Sequence, residues 1–382
     1  MKVKLESLLQ EVSEKTTKND QYPVLTSSKA GLYLQSEYFN KQVASKDNTG
    51  YKIIKRGQFT YRAMSDTGEF FPNMLDCTDI GIVSPAYPVF EISNSVVLPE
   101  FLKYYFKSKG FQQSIASFAQ GSTRTSVKYG KLKTVTIDLP GINKQKRIIE
   151  ILDTAQRVIA HRIAEIQKLD ELIKARFVEM FGYVKTNSMN WDRRQLKDVA
   201  DVRGRVGWKG YKKEDLRKEG PLVLGATHLT NNGEIDLADP VYLSREKYEE
   251  SPEIMLKKGD LIFTQRGNTI GKVGLIEGEV GEATINPCVL ILRPINIHPV
   301  YFRSYFVMDE TKDDMWRLNS GSAQPMITQK SIGEYVMMIP PIELQEQFAD
   351  FVHQVDKSKV VAQQMLDETQ KLFDSLMQEY FG

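Results

Sequence analysis

Leu139-Pro140-Gly141-Ile142-Asn143-Lys144-Gln145 returns 200 residues later as Ile339-Pro340-Pro341-Ile342-Glu343-Leu344-Gln345, and each copy opens a proline-free segment that ends in Phe-Gly. Working outward, Gly121-Ser122 matches Gly321-Ser322, Tyr105-Phe106 matches Tyr305-Phe306, and Glu179-Met180-Phe181-Gly182 matches Glu379-Tyr380-Phe381-Gly382. Further upstream the displacement is 202, pairing Lys55-Arg56-Gly57 with Lys257-Lys258-Gly259 and Ile82-Val83-Ser84-Pro85 with Thr284-Ile285-Asn286-Pro287. Leu5-Glu6-Ser7-Leu8 echoes Leu196-Lys197-Asp198-Val199. The chain is a tandem duplication, each copy a globular part of about 140 to 150 residues followed by a tail of about 40. The boundaries expected are 1–140, 141–190, 191–340 and 341–382.

The tails read as helices. Residues 142–181 are rich in Leu, Ile, Ala, Glu, Lys, Arg and Gln, all strong helix formers, and Pro140-Gly141 is a start signal. Apolar residues recur with 4-3 spacing at Ile148, Leu152, Ala155, Ile159, Ile166, Leu169, Ile173 and Met180, interrupted by Arg162 and Arg176. The second copy keeps the phase with Phe348, Val352, Val355, Ala362, Leu366, Phe373, Leu376 and Tyr380, broken by Lys359 and Thr369. This is a coiled-coil seam. Gly182 and Gly382 stop the helices. Net charge is +3 over 141–190 and −5 over 341–382, as expected of helices that pair with each other, here antiparallel as a spacer. Arg162, Arg176 and Lys359 are candidates for setting register or meeting another protein.

Composition bounds the rest. A chain of 382 residues exceeds a single core, and 41% hydrophobic with 26% charged residues is ordinary for globular protein. No apolar run reaches the ~20 residues of a membrane span, and the N-terminal MKVKLESLLQ lacks a signal-peptide core, so a cytoplasmic location is expected. Two cysteines and four histidines form no ligand spacing, which argues against a metal site or a disulfide framework.

In the globular parts, β-like runs at 51–54, 80–83 and 87–92, then at 261–263, 273–276 and 289–292, alternate with turns. Short helices are expected at 98–108 and 299–308. The expected class is α+β, two repeated mixed α/β domains separated by two long helices in an antiparallel coiled coil. Enzymatic readings fail. Gly267-Asn268-Thr269-Ile270-Gly271-Lys272-Val273 has too few residues between its glycines for a phosphate-binding loop and lacks Ser or Thr after the lysine. Ser84-Pro85-Ala86-Tyr87 lacks the second proline of an amino-methyltransferase element, no Gly-x-Gly cofactor loop follows a strand, and Glu310-Thr311-Lys312 has no Pro-Asp partner for a nuclease. No cofactor is expected.

What remains suits nucleic acid. Tyr61 and Arg62 follow the Gly57 turn, and Gln265, Arg266 and Asn268 follow the turn at Gly259. Arg205, Lys209 and Tyr211 fill an irregular stretch early in the second domain, while Arg124 and Gln324 close the two Gly-Ser loops. Arg and Lys neutralise phosphates; Arg, Gln and Asn pair with base edges.

The Lys-Gly-Asp-Leu-Ile-Phe-Thr-Gln-Arg-Gly turn at 258–267, the Gly-Ser loop and the Ile-Pro-Pro-Ile-Glu-Leu-Gln-Glu-Gln run at 339–347 resemble the specificity subunit of type I restriction-modification systems. The resemblance spans nearly the whole chain, with weaker forms in the first copy, where Phe59-Thr60-Tyr61-Arg62 departs from the family's Asp-Ile-Leu-Phe-Thr. It implies a non-catalytic reader of double-stranded DNA, with two inverted target-recognition domains that each read half of a split asymmetric site. The paired helices would set the unread spacer and bind two modification subunits that bring S-adenosylmethionine and methylate adenine at N6. Restriction subunits would add ATP-driven translocation and cleavage. The alternative is a coiled-coil protein-interaction scaffold with no DNA role.

Overall fold

In the computed structural model, which describes residues 1–38, 45–119, 125–205, 210–319 and 325–382, the duplication is a repeat of one sheet. The chain divides into two units, Met1–Arg162 with Gln364–Gly382, and Ile163–Gln363. In unit 1, strands β1 (Leu9–Val12), β2 (Phe59–Thr60), β3 (Asn73–Met74) and β4 (Val89–Ile92) form an antiparallel sheet of order β1-β4-β2-β3. In unit 2, β5 (Ala200–Gly204), β6 (Leu261–Thr264), β7 (Val273–Leu275) and β8 (Val289–Pro294) form an antiparallel sheet of order β5-β8-β6-β7. A flanking pair in each ties the start of the unit to the strand before its long helix: Lys2–Lys4 with Thr136–Asp138, and Asp192–Gln195 with Val336–Ile339. All four residues of β6 are buried, which is why its sequence is a continuous apolar run rather than an alternating one.

Two helices follow each sheet, α1 (Pro99–Tyr105) and α2 (Lys109–Ala116) in unit 1, α4 (Pro299–Val307) and α5 (Asp309–Arg317) in unit 2. The sequence predicts only the first of each pair. Ser108 caps α2 by accepting from the Phe111 amide, whereas α5 begins directly on Asp309 after extended Met308. The reading also lacks the strand Leu216–Leu224, whose end pairs in parallel with Ala283–Ile285; its polar first half hides it.

The long helices are α3 (Ile142–Phe181) and α6 (Ile342–Phe381), each of 40 residues and so about 60 Å long. At the end of α3, Gly182 adopts φ +75°, and a Cβ there would lie 2.3 Å from Ser188 Oγ, so glycine is required. In unit 1 the first turns of α3 (Ile148, Leu152) share a core with the last of α6 (Phe373, Leu376, Tyr380, Phe381). In unit 2 the last turns of α3 (Phe177, Phe181) share a core with the first of α6 (Phe348, Val352). Both segments therefore run antiparallel.

Gln145 and Gln345 have the same task. Gln145 is buried, accepts from the Leu98 amide at 2.9 Å and donates to Val96 O and Pro140 O, both at 2.8 Å. Gln345 accepts from the His298 amide and donates to Pro340 O, both at 2.8 Å. A buried amide fastens each long helix to the entry of α1 or α4, satisfying backbone groups that would otherwise be stranded.

Candidate nucleic-acid interface

The turn before β2 and β6 is built alike in both units. Gly57 and Gly259 have φ of +85° and +90°. The side chains of Gln58 and Asp260 accept from the amides of Lys55 and Lys257, both at 2.8 Å. The Gln58 and Asp260 carbonyls accept from Leu75 and Ile276. Gln58 donates to Glu91 at 2.8 Å; its counterpart Asp260, 1% exposed, receives both branches of Arg293 at 2.7 Å. These pairs fix the register at a displacement of 202.

That register corrects part of the sequence reading. Tyr61 aligns with Phe263, not with the loop: it is 1% exposed, sits edge-on to Phe90 and donates its hydroxyl to Val127 O at 3.0 Å. A core tyrosine with its hydroxyl spent reaches neither base nor phosphate. Ala63 and Met64 stand where unit 2 has Gln265 and Arg266. Arg62 is exposed, 3.6 Å from Asp66, at the rim of a polar cleft with Lys29, Ser65 and Thr67.

In unit 2 the strand continues into a loop clamped from two sides. Gln265 and Arg266 donate their amides to Cys288 O, and Gln265 Nε2 donates to Pro287 O at 3.0 Å. Ile327 donates back to Gln265 O, Gly267 donates to Pro325 O, and Arg266 Nη2 lies 3.2 Å from Met326 Sδ. In unit 1, Met64–Ser65 pairs with Thr125–Ser126 and Val127 donates to Ala63 O. Each unit thus sets the strand-end loop against the segment that follows its Gly-Ser loop. Asn268 and Thr269 are exposed at the tip, with Gln265 and Arg266 partly so. Arg124, Lys209 and Gln324 lie outside the described residues.

Arg205 is also corrected. It is 6% exposed, donates to Ile285 O and Thr284 Oγ1 at 3.1 Å, and lies 5.4 Å over the ring of Tyr211. Burial pulls it below the ordinary arginine value, opposed by Tyr211 and by Glu250 and Glu253. It braces the strand at Ala283–Ile285, and Tyr211 is its lid.

On the long helices, burial recurs at Ile148, Leu152, Ile159, Arg162, Ile166, Ile173 and Arg176, and at Phe348, Val352, Val355, Lys359, Leu366 and Phe373, all buried or half-buried. Within unit 2, Lys359 is 12% exposed and pairs with Glu234 at 2.7 Å, Asp170 at 2.8 Å and Asp356 at 3.8 Å. Asp356 also faces Arg303, which holds Glu277 at 2.6 Å, and Asn232 donates to Asp170 at 2.6 Å. Burial alone lowers Lys359, but Asp170 and Glu234 outweigh it and hold it above the ordinary lysine value. Its charge is spent inside the unit. Arg176 lies 5.6 Å from the Phe351 ring and pairs with Glu179 at 2.9 Å. Arg303 carries no sequence signal, because its partners Glu277 and Asp356 are distant in the chain.

Among the described residues no group of three or more His, Cys, Asp or Glu side chains could hold a metal, and no helix is long and apolar enough to cross a membrane. The repeated sheet, and the matching bond that ties each strand-end loop to the segment after its Gly-Ser loop, define a duplicated scaffold on paired helices. The family model for the type I restriction modification DNA specificity domain matches residues 7–171 and 189–368, and the chain belongs to that family. It is a type I restriction-modification specificity subunit with two target-recognition domains, the non-catalytic member of such a system.

Among its relatives is the MjaVIII specificity subunit of Methanocaldococcus jannaschii, 22% identical over 90% of this chain and 84% of that protein. The EcoKI specificity subunit of Escherichia coli is 22% identical over 68% of this chain and 59% of its own length. The fold matches the crystal structure of the S subunit from M. genitalium with TM-score 0.55 at 15% identity, covering 100% of this chain and 96% of that one. A chain from work on complex assembly and conformational transition of the type I system gives TM-score 0.58 at 16% identity, covering 100% and 97%.

Proposed function

We propose that each unit reads one half of a bipartite, asymmetric site in double-stranded DNA. In this reading α3 and α6 set the unread spacer and recruit two adenine N6-methyltransferase subunits and the restriction (helicase-nuclease) subunits, and the assembly acts in the cytoplasm. One observation carries it: in both units the strand-end loop is hydrogen-bonded to the segment after the Gly-Ser loop, Val127 to Ala63 O and Ile327 to Gln265 O, yet Gln265 and Arg266 stand in one where Ala63 and Met64 stand in the other. A constant frame with exchanged side chains at its tip is what two readers of different half-sites need. Gln and Arg offer bidentate partners for adenine and guanine edges, whereas Ala and Met offer apolar contact to a thymine methyl.

The test is Arg266→Ala in the assembled methyltransferase. It is expected to cost about 1 to 3 kcal/mol on the native site and to relax one position of one half-site only. Uniform weakening on all sequences would make Arg266 a backbone contact and remove it from the reader.

A further inference from the structure

The loop Gly267 to Lys272 is not an ATP-type loop, yet it overhangs a cleft of about 240 Å³ lined by Asn231, Asn268, Thr269, Lys272 and Lys312 together with the apolar Phe306 and Val307. Gly267 holds φ +99°, and the loop closes on itself through Gly271 to Thr264 O and Lys272 to Thr269 O. The amides of Asn268 and Thr269 donate to no acceptor among the described residues, and both residues are exposed. Successive amides free at such a turn make a concavity for an anion.

The charges around it are unbalanced. Lys272 has no carboxylate within ion-pair distance among the described residues. Lys312 and Lys174 share a single carboxylate, Asp309, at 3.7 and 3.6 Å, and its side chain is 83% exposed. Lys312 is pulled below the ordinary lysine value by burial and by the charges of Lys174 and Lys272, with Asp309 opposing. Three ammonium groups thus converge, Lys174 from the long helix and Lys272 and Lys312 from a segment, 191–340, whose net charge is −1.

We propose that this cleft binds a phosphate oxyanion, between the Asn268 and Thr269 amides and the ammonium groups of Lys272 and Lys312, and that its source is the backbone of the bound duplex. The assignment to DNA rests on the reading above: the cleft is continuous in sequence with Gln265 and Arg266, so a phosphate held here would fix the register of the loop on the base edges.

The full-length chain is titrated with site-containing and random duplex at 50 to 200 mM salt. Lys272→Gln and Lys312→Gln are each expected to lower the slope of log affinity against log salt by about 1, with equal fold-loss on both duplexes. Lys272→Arg should keep the slope. Asp309→Asn should tighten binding to both duplexes, a gain that misfolding cannot imitate. An unchanged slope in both Gln variants, with no gain from Asp309→Asn, overturns the proposal while leaving half-site reading intact. Should the wild-type chain bind no duplex, the DNA source fails and inorganic phosphate is the probe. Saturable shifts of the Asn268 and Thr269 amide resonances that Lys272→Gln abolishes would then uphold the oxyanion site, and their absence would sink it.

Discussion

The two units share a sheet order, a turn and a buried glutamine, but they fasten to the long helices by different chemistry. In unit 1, Tyr104 donates to Asp153 and lies 3.0 Å from Gln156 Oε1, while its ring and that of Phe101 pack on Phe373 and Phe381. In unit 2 the aromatic cluster of Phe177, Phe181, Tyr301 and Phe348 is joined by the network Glu277–Arg303–Asp356–Lys359, completed by Asp170 and Glu234. What persists is backbone hydrogen bonding and the groups that satisfy it. What diverges is side-chain chemistry at sites where several solutions bury the same surface.

The largest break in this symmetry is expected at Lys359. Removing one partner of a buried pair strands the other charges and costs about 3 to 5 kcal/mol, discounted here to about 2 to 4 because Glu234 is 44% exposed. Lys359→Met should therefore destabilise unit 2 by that amount. Ile159→Met, at the matching position of unit 1, conserves volume and should cost below about 1.5 kcal/mol. Hydrogen exchange resolved by segment, with urea unfolding, measures both; equal costs would mean the network contributes nothing net.

The glutamines should behave alike. Gln145→Leu and Gln345→Leu each leave buried backbone groups unpaired, a loss of about 1 to 3 kcal/mol. A cost confined to one unit would show that the repeat of this contact is incidental.

The smallest contrast is one of pH. His298 Nδ1 accepts from the Val300 amide at 3.3 Å, a bond that protonation removes, whereas unit 1 has Leu98 at the same place. Burial, then the nearby His353, hold His298 below the ordinary histidine value against Glu346 and Asp350. Its folded value is depressed, so the unfolded chain takes the proton first. The contribution is present above about pH 6.5 and is lost as pH falls through the depressed value. Unit 2 should lose exchange protection on acidification to pH 5, and His298→Asn should flatten that loss; a flat profile in the wild type would contradict it.

Much of this was legible in the sequence, and the limits have physical reasons. The 4-3 spacing predicts the helices because a period of 3.6 repeats over ten turns, and the apolar run at 261–263 predicts β6, whereas β2, only two residues long, falls between the runs at 51–54 and 80–83 and is missed. Gln145 and Gln345 were visible as a repeat, but their work depends on partners about 50 residues away. The unit 1 loop candidates fall two residues early: Tyr61 reads as a surface aromatic because β2 is only two residues long and its continuation reads as loop, while the hydroxyl's partner, Val127, is 66 residues distant. Arg205 reads as a phosphate contact because its acceptors are about 80 residues away.

In the proposed function the helices measure the distance between two independent readings. Deleting residues 160–166 and 360–366 together removes one heptad from each helix, keeps the seam in phase and spares Lys359 and Asp170, while shortening the pair by ~10 Å. At ~3.4 Å per base pair this is at most about three pairs of spacer. Methylome sequencing of cells carrying the deletion with its modification subunit should return both half-sites unchanged, with one to three fewer unread pairs between them. Altered half-sites, or an unchanged spacer in an active complex, would contradict the claim.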